Sequence, residues 1–174
     1  AADSERAARQ AARLAKVATT PLPVCLDPRE AANRGDLVRP THTQARLANG
    51  RAGDLDSISN KLAKSAWQLS GELESGGQEH FYLESQAALA LPGEDDEMLV
   101  HSSSQHPSEV QKLIAEVLGV PFHAITVETR RMGGGFGGKE TQAAPVACLA
   151  AMIARRTGRA ARLRLARADD MRLT

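Results

Sequence analysis

Aromatic side chains are scarce in this sequence, with three phenylalanines, one tyrosine and one tryptophan in 174 residues. A surface that stacks on nucleic-acid bases needs several of them, so that class of function is set aside. The two cysteines, Cys25 and Cys148, are far apart and form no CxxC pair. Zinc-site and thioredoxin-like readings fail on that spacing, and nothing implies an oxidising compartment. Cys148 lies in the apolar run Ala147 to Ile153, where a buried, inert thiol is expected. The net charge is only +1, too little to recruit nucleic acid or an acidic membrane. The one local excess of base, Arg155 to Arg167, reads as solvated decoration. The longest apolar run, Ala143 to Ala154, is too short to cross a bilayer. No secretory signal or lipidation motif is visible, so a soluble cytoplasmic protein is expected. Residue 1 is not methionine, the chain opens inside a helical pattern, and Ala168 to Thr174 follow a strand without a capping element. A piece of something longer is expected.

What is present is globular in composition, with 42% hydrophobic and 25% charged residues. Asp3 is positioned to cap a helix running to about Val17. Asp27-Pro28-Arg29-Glu30 reads as the start of a short helix that ends near Gly35. His42 to Asn60 reads as an irregular linker, and Ser65 to Leu73 as a strand containing a core Trp67. Beyond a break near Gly76 the pattern tightens. Phe81 to Leu91 and Glu97 to Ser102 read as strands joined by a turn at Pro92 to Asp96. Pro107 to Leu118 is a helix closed by Gly119. Ala124 to Arg130 is a strand, Thr141 to Arg156 a helix ended by Gly158, and Ala161 to Ala166 another strand. The antiparallel hairpin favours an α+β fold with a mixed sheet and helices packed on it over a doubly wound sheet. The expected division is residues 1–70, then 71–174.

The densest signal is Arg131 to Glu140 (RMGGGFGGKE). Five of six consecutive positions are glycine and the sixth is Phe136. Such a run exposes peptide N–H groups and admits another molecule close to the main chain. Gly133 to Lys139 fits a P-loop until its last position, where Glu140 stands in place of the magnesium-binding Ser or Thr. Gly133-x-Gly135-x-x-Gly138 fits a dinucleotide fingerprint after a strand and before a helix, with Asp169 or Asp170 after the next strand. The preceding strand alternates with charge, whereas a central parallel strand is apolar throughout. A glycine-rich turn without a ligand is the bland alternative, and a non-catalytic assembly module is a third.

Three segments in order resemble a known family: Gly76 to Glu84 (GGQEHFYLE), Ser102 to Gln111 (SSSQHPSEVQ) and the glycine loop. They are similar to the molybdenum-binding subunit of the xanthine dehydrogenase and aldehyde oxidase family, and the Gln-His-Pro-Ser form resembles its bacterial xanthine dehydrogenases. The likeness is strong from about Gly71 to Met171. It is looser before that, where residues 1–70 resemble the end of a smaller preceding domain. The resemblance implies a molybdopterin cofactor with molybdenum, held by the start of a molybdopterin-binding domain. It implies hydroxylation of a purine with oxygen from water. It also implies a partner subunit carrying 2Fe-2S clusters and FAD, in a heterotetramer. Position by position, Gln105 corresponds to the glutamine beside the metal and Phe136 to the phenylalanine whose main chain faces it. Gly135 and Gly137 let that backbone approach. Glu140 corresponds to the substrate-facing glutamate, and would also sit in the first turn of the following helix. The family's catalytic glutamate base, substrate-binding arginine and stacking phenylalanines have no counterpart here, so this stretch alone is expected to be inactive. His80, Tyr82 and Glu84 alternate along an expected strand and read as structural. His101, His106 and His123 read as solvated or capping residues.

Overall fold

The computed structural model describes residues 1–39 and 55–173. It divides into two units, one up to Ser75 and one from Gly76 onward. The first holds helices α1 (Glu5–Leu14), α2 (Pro28–Arg34) and α3 (Leu55–Ala63). The cap of α1 is Ser4, not Asp3. Its side chain accepts the Ala7 N–H at 3.2 Å, and Glu5 pairs with Arg9 one turn on. Helix α2 forms as expected. The Asp27 carboxylate accepts from the N–H groups of Arg29 and Glu30, Pro28 opens the first turn, and Gly35 closes it in the left-handed region.

Three further expectations for this unit are corrected. The span 42–60 is not all irregular, because α3 occupies its end; residues 42–54 lie outside the described residues. Ser65 to Leu73 forms no strand. Alternation makes a strand only where a neighbouring strand can take its backbone hydrogen bonds. Trp67 is not core either, being 94% exposed.

The second unit is built on one four-stranded sheet: β1 (Ala87–Pro92), β2 (Met98–Ser102), β3 (Ile125–Glu128) and β4 (Ala161–Arg164). The order across it is β3-β2-β1-β4, with β2 and β3 parallel and the other pairs antiparallel. This is the mixed sheet that the sequence implies. Residues before β1, expected as strand from Phe81, are not strand. The Gly93 N–H closes the β1–β2 hairpin on the Glu97 carbonyl at 2.7 Å, while Asp95 and Asp96 take left-handed backbone conformations. Helix α4 (Pro107–Leu118) carries β2 over to its parallel neighbour β3, and Gly119 ends it.

Helix α5 (Ala143–Thr157) returns the chain from β3 at one edge to β4 at the other. Its inner face is almost all alanine, with Ala143, Ala147, Ala150, Ala151 and Ala154 buried against Ala88 and Ala90 of β1 and the rest of the core. Small residues on both sides let helix and sheet approach closely. Cys148 on this helix is half-buried rather than buried, and burial pushes its thiol up. The final residues, read as an uncapped tail, form helix α6 (Arg167–Leu173). Among the described residues no helix is long and apolar enough to cross a membrane.

The strand directions place four segments at one end of the sheet. Antiparallel β1 starts where β2, β3 and β4 finish. The residues before β1, those after β2, the glycine loop after β3 and helix α6 after β4 therefore converge there.

Candidate functional site

The glycine loop lies at this end and is clamped from two sides. On one side is Gln105, just after β2. Its side-chain oxygen Oε1 accepts the N–H of Gly137 at 2.9 Å and of Lys139 at 3.2 Å. The Gln105 backbone N–H donates to the Lys139 carbonyl at 2.7 Å. Because two donors face Oε1, the amide is oriented with Nε2 turned away as a donor. Gly135 makes this possible: a Cβ there would fall 2.4 Å from Oε1.

On the other side is the segment before β1. Glu84 and Gly133 pair reciprocally: the Glu84 N–H donates to the Gly133 carbonyl at 3.0 Å, and the Gly133 N–H donates to the Glu84 carboxylate at 2.9 Å. The Lys139 ammonium, with its side chain fully buried, donates to the same carboxylate oxygen at 3.2 Å. It also lies 4.6 Å from the centre of the Tyr82 ring. Burial alone would raise the Glu84 carboxyl. The Gly133 hydrogen bond outweighs it together with the hydrogen bond and charge of Lys139 and the charge of Arg164, so Glu84 is held below its ordinary value. Gln86 donates to the Gly138 carbonyl at 2.8 Å and to the Tyr82 hydroxyl at 3.1 Å.

Between the clamps the loop presents what is left. Gly133, Gly137, Gly138 and Lys139 use their N–H groups internally. No acceptor among the described residues takes the N–H of Gly134, Gly135 or Phe136. Phe136 sits at φ 53°, a left-handed conformation that costs a non-glycine residue about 1 kcal/mol or more. The residue is 74% exposed. Successive amides flanking such residues form a concave donor site for an electronegative group.

The structure thus brings Gln105, Gly135, Phe136 and Gly137 together. The N–H of Gly137 is taken by Gln105. Glu140 is exposed at the loop's end, but not in a first helical turn, because α5 starts only at Ala143. The same gap counts against both nucleotide motifs, in which the glycines open directly into a helix whose N-terminus meets the phosphates. Asp170, the candidate ribose-binding acid, is buried; it accepts the Gln86 N–H and pairs with Arg167. Sequence reasoning passed over Lys139 except as a P-loop lysine. The usable signal was a lysine closing a glycine run with a carboxylate and an aromatic ring in the motif before β1.

Loop amides without an acceptor among the described residues, beside an oriented carboxamide at one end of a mixed sheet, make this an α+β domain with a donor-rich loop. The family model described as "Molybdopterin cofactor-binding domain" matches residues 38–174. The chain belongs to that family, as found in the xanthine dehydrogenase and aldehyde oxidase group of molybdenum hydroxylases. It is 39% identical over 96% of its length to a probable aldehyde oxidase of Caenorhabditis elegans. It is 38% identical over its whole length to a xanthine dehydrogenase of Drosophila pseudoobscura pseudoobscura. The chain spans 13% and 12% of the lengths of these curated relatives. The structure of the aldehyde oxidoreductase from Desulfovibrio gigas superposes with a TM-score of 0.74 at 28% identity, over 99% of this chain and 19% of that one.

Proposed function

We propose that this chain supplies the metal-facing loop of a purine-hydroxylating molybdenum enzyme of the xanthine dehydrogenase type, of which it is one part. The observation that carries the reading is the pairing of Gln105 with the glycine loop. The Gly137 and Lys139 amides hold Oε1, so Nε2 is left as a donor that would hold an electronegative group of the cofactor without ligating the metal itself. The N–H groups of Gly134, Gly135 and Phe136, which no acceptor among the described residues takes, would add further donors toward the cofactor. The bound molybdopterin supplies a molybdenum centre that accepts two electrons from the substrate and delivers oxygen derived from water.

This chain's own contribution is to hold and orient. Gln105 and the Phe136 main chain would fix the cofactor's position from that side. Glu140 hydrogen-bonds the purine ring and stabilises charge that develops on it. The glutamate base belongs to a part of the enzyme outside this sequence, so the chain alone does not turn over substrate. A partner subunit would hold 2Fe-2S clusters and FAD, which would supply electron uptake, in a cytoplasmic heterotetramer.

The test is Glu140→Ala in the whole protein. Xanthine turnover falls roughly a hundredfold or more, as for loss of one group stabilising developing charge, while molybdenum content stays near normal. Unchanged xanthine kinetics would remove the role of Glu140. A wild-type protein that oxidises aldehydes and not xanthine would replace the purine by the substrate class named for the nematode relative. Turnover by the 174-residue chain alone would show that the base is not required from elsewhere.

A further inference from the structure

A fully buried lysine needs a reason. An ammonium withdrawn from water is costly unless it is paired and hydrogen-bonded, and an apolar side chain of similar volume would fill the space more cheaply. Lys139 is 0% exposed. Its ammonium reaches the Glu84 carboxylate oxygen that also receives the N–H of Gly133. One oxygen therefore ties the first residue of the glycine loop to its last. The backbone of Lys139 does the same for Gln105. Its N–H meets Gln105 Oε1, and its carbonyl accepts from the Gln105 N–H and the Ser104 hydroxyl. The lysine is the one loop residue that touches both clamps.

We infer that Lys139 is a positioning residue: through Glu84 and Gln105 its buried ammonium and peptide group together set the span and reach of residues 133–139. The functional meaning rests on the cofactor reading above, whereas the geometry of the loop does not. Without the ammonium, Glu84 loses the partner that fixes its carboxylate beneath Gly133. The loop's first residue then moves independently of its last, and the Phe136 amide no longer has a defined distance from Gln105 Nε2.

The experiment is hydrogen–deuterium exchange on the whole protein, wild type against Lys139→Met, following peptides that cover residues 132–140, β1 and α5. Exchange at Gly133, Gly137 and Lys139 speeds up about tenfold, as for loss of a hydrogen bond to a charged group, with β1 and α5 unchanged. In metal-loaded molecules kcat for xanthine falls per molybdenum atom while KM stays the same. Equal acceleration in α5 and β1 would make Lys139 a general stabiliser and overturn the inference, and so would unchanged protection of the loop. If Lys139→Met does not fold, the double variant Glu84→Gln with Lys139→Met carries the same test, since it leaves neither charge unpaired and keeps an acceptor for the Gly133 N–H. Wild-type protein that holds no molybdenum would defeat the cofactor reading, yet the exchange comparison would still decide the role of Lys139.

Discussion

Two glycines of the loop are small for different reasons, and substitution separates them. The atoms nearest a Cβ at Gly135 all belong to the Gln105 side chain, at 2.4–2.9 Å. That side chain is exposed and can swing away. A Cβ at Gly138 would meet the Tyr82 ring at 2.7 Å and the His80 ring at 2.8 Å. Tyr82 is buried and cannot yield. Gly135→Ala therefore costs about 1 kcal/mol of stability through the two Gln105 hydrogen bonds it breaks, and by displacing Gln105 lowers molybdenum content. Gly138→Ala costs about 1–3 kcal/mol by overpacking. Thermal unfolding and metal analysis of the two variants check this, and equal melting temperatures would contradict the geometry. The sequence marked both positions as glycine but could not tell them apart. The distinction lies in which residue stands opposite, and those residues are remote in the chain.

At the scale of elements, punctuation by proline and glycine was readable because it acts locally. Pro107 and Gly119 bound α4, and Gly158 ends α5. Strand β1 begins only at Ala87 because Leu83, Glu84 and Gln86 place backbone hydrogen bonds on the loop and on α6, not on a neighbouring strand. Arg167 of α6 donates to the Leu83 carbonyl, and Asp170 accepts from Gln86. Helix α5 makes its own prediction. Its alanine face sets how near it lies to β1, and Ala147 at its centre has no exposed surface. Ala147→Leu must push helix and sheet apart, at about 1–3 kcal/mol, read as a lower urea midpoint. A neutral result would mean that the face has slack the structure does not show.

At the scale of the whole molecule, the two units differ in how they are held. Every buried residue among those described lies from Gly76 onward. In the other unit, Leu22, Val24, Trp67 and Leu69 are each more than three-quarters exposed, so it has little apolar burial to offset its conformational entropy. In the core-bearing unit, ionised Glu84 joins two segments of the fold. Its carboxyl is held below the ordinary glutamate value. Its contribution to stability is thus complete above that ordinary value, about 4.3, and is lost as pH falls through the lowered one. Acid unfolding below about pH 4.3 is accordingly less steep in Glu84→Gln than in wild type. Identical pH profiles of the two melting temperatures would show that Glu84 carries no such linkage.

By itself the sequence determined the capped helices, the hairpin, the α+β class and the glycine loop as the place to look, since each depends on residues a few positions apart. Only the tertiary structure decided which amides of that loop are free, which way the Gln105 carboxamide points and that Lys139 is buried. Those follow from contacts such as Gly137 with Gln105 and Lys139 with Glu84, which lie 32 and 55 residues apart. No local propensity reaches that far. Strand order and direction bring such residues to one end of the sheet, and only there do their hydrogen bonds and charges select a single geometry.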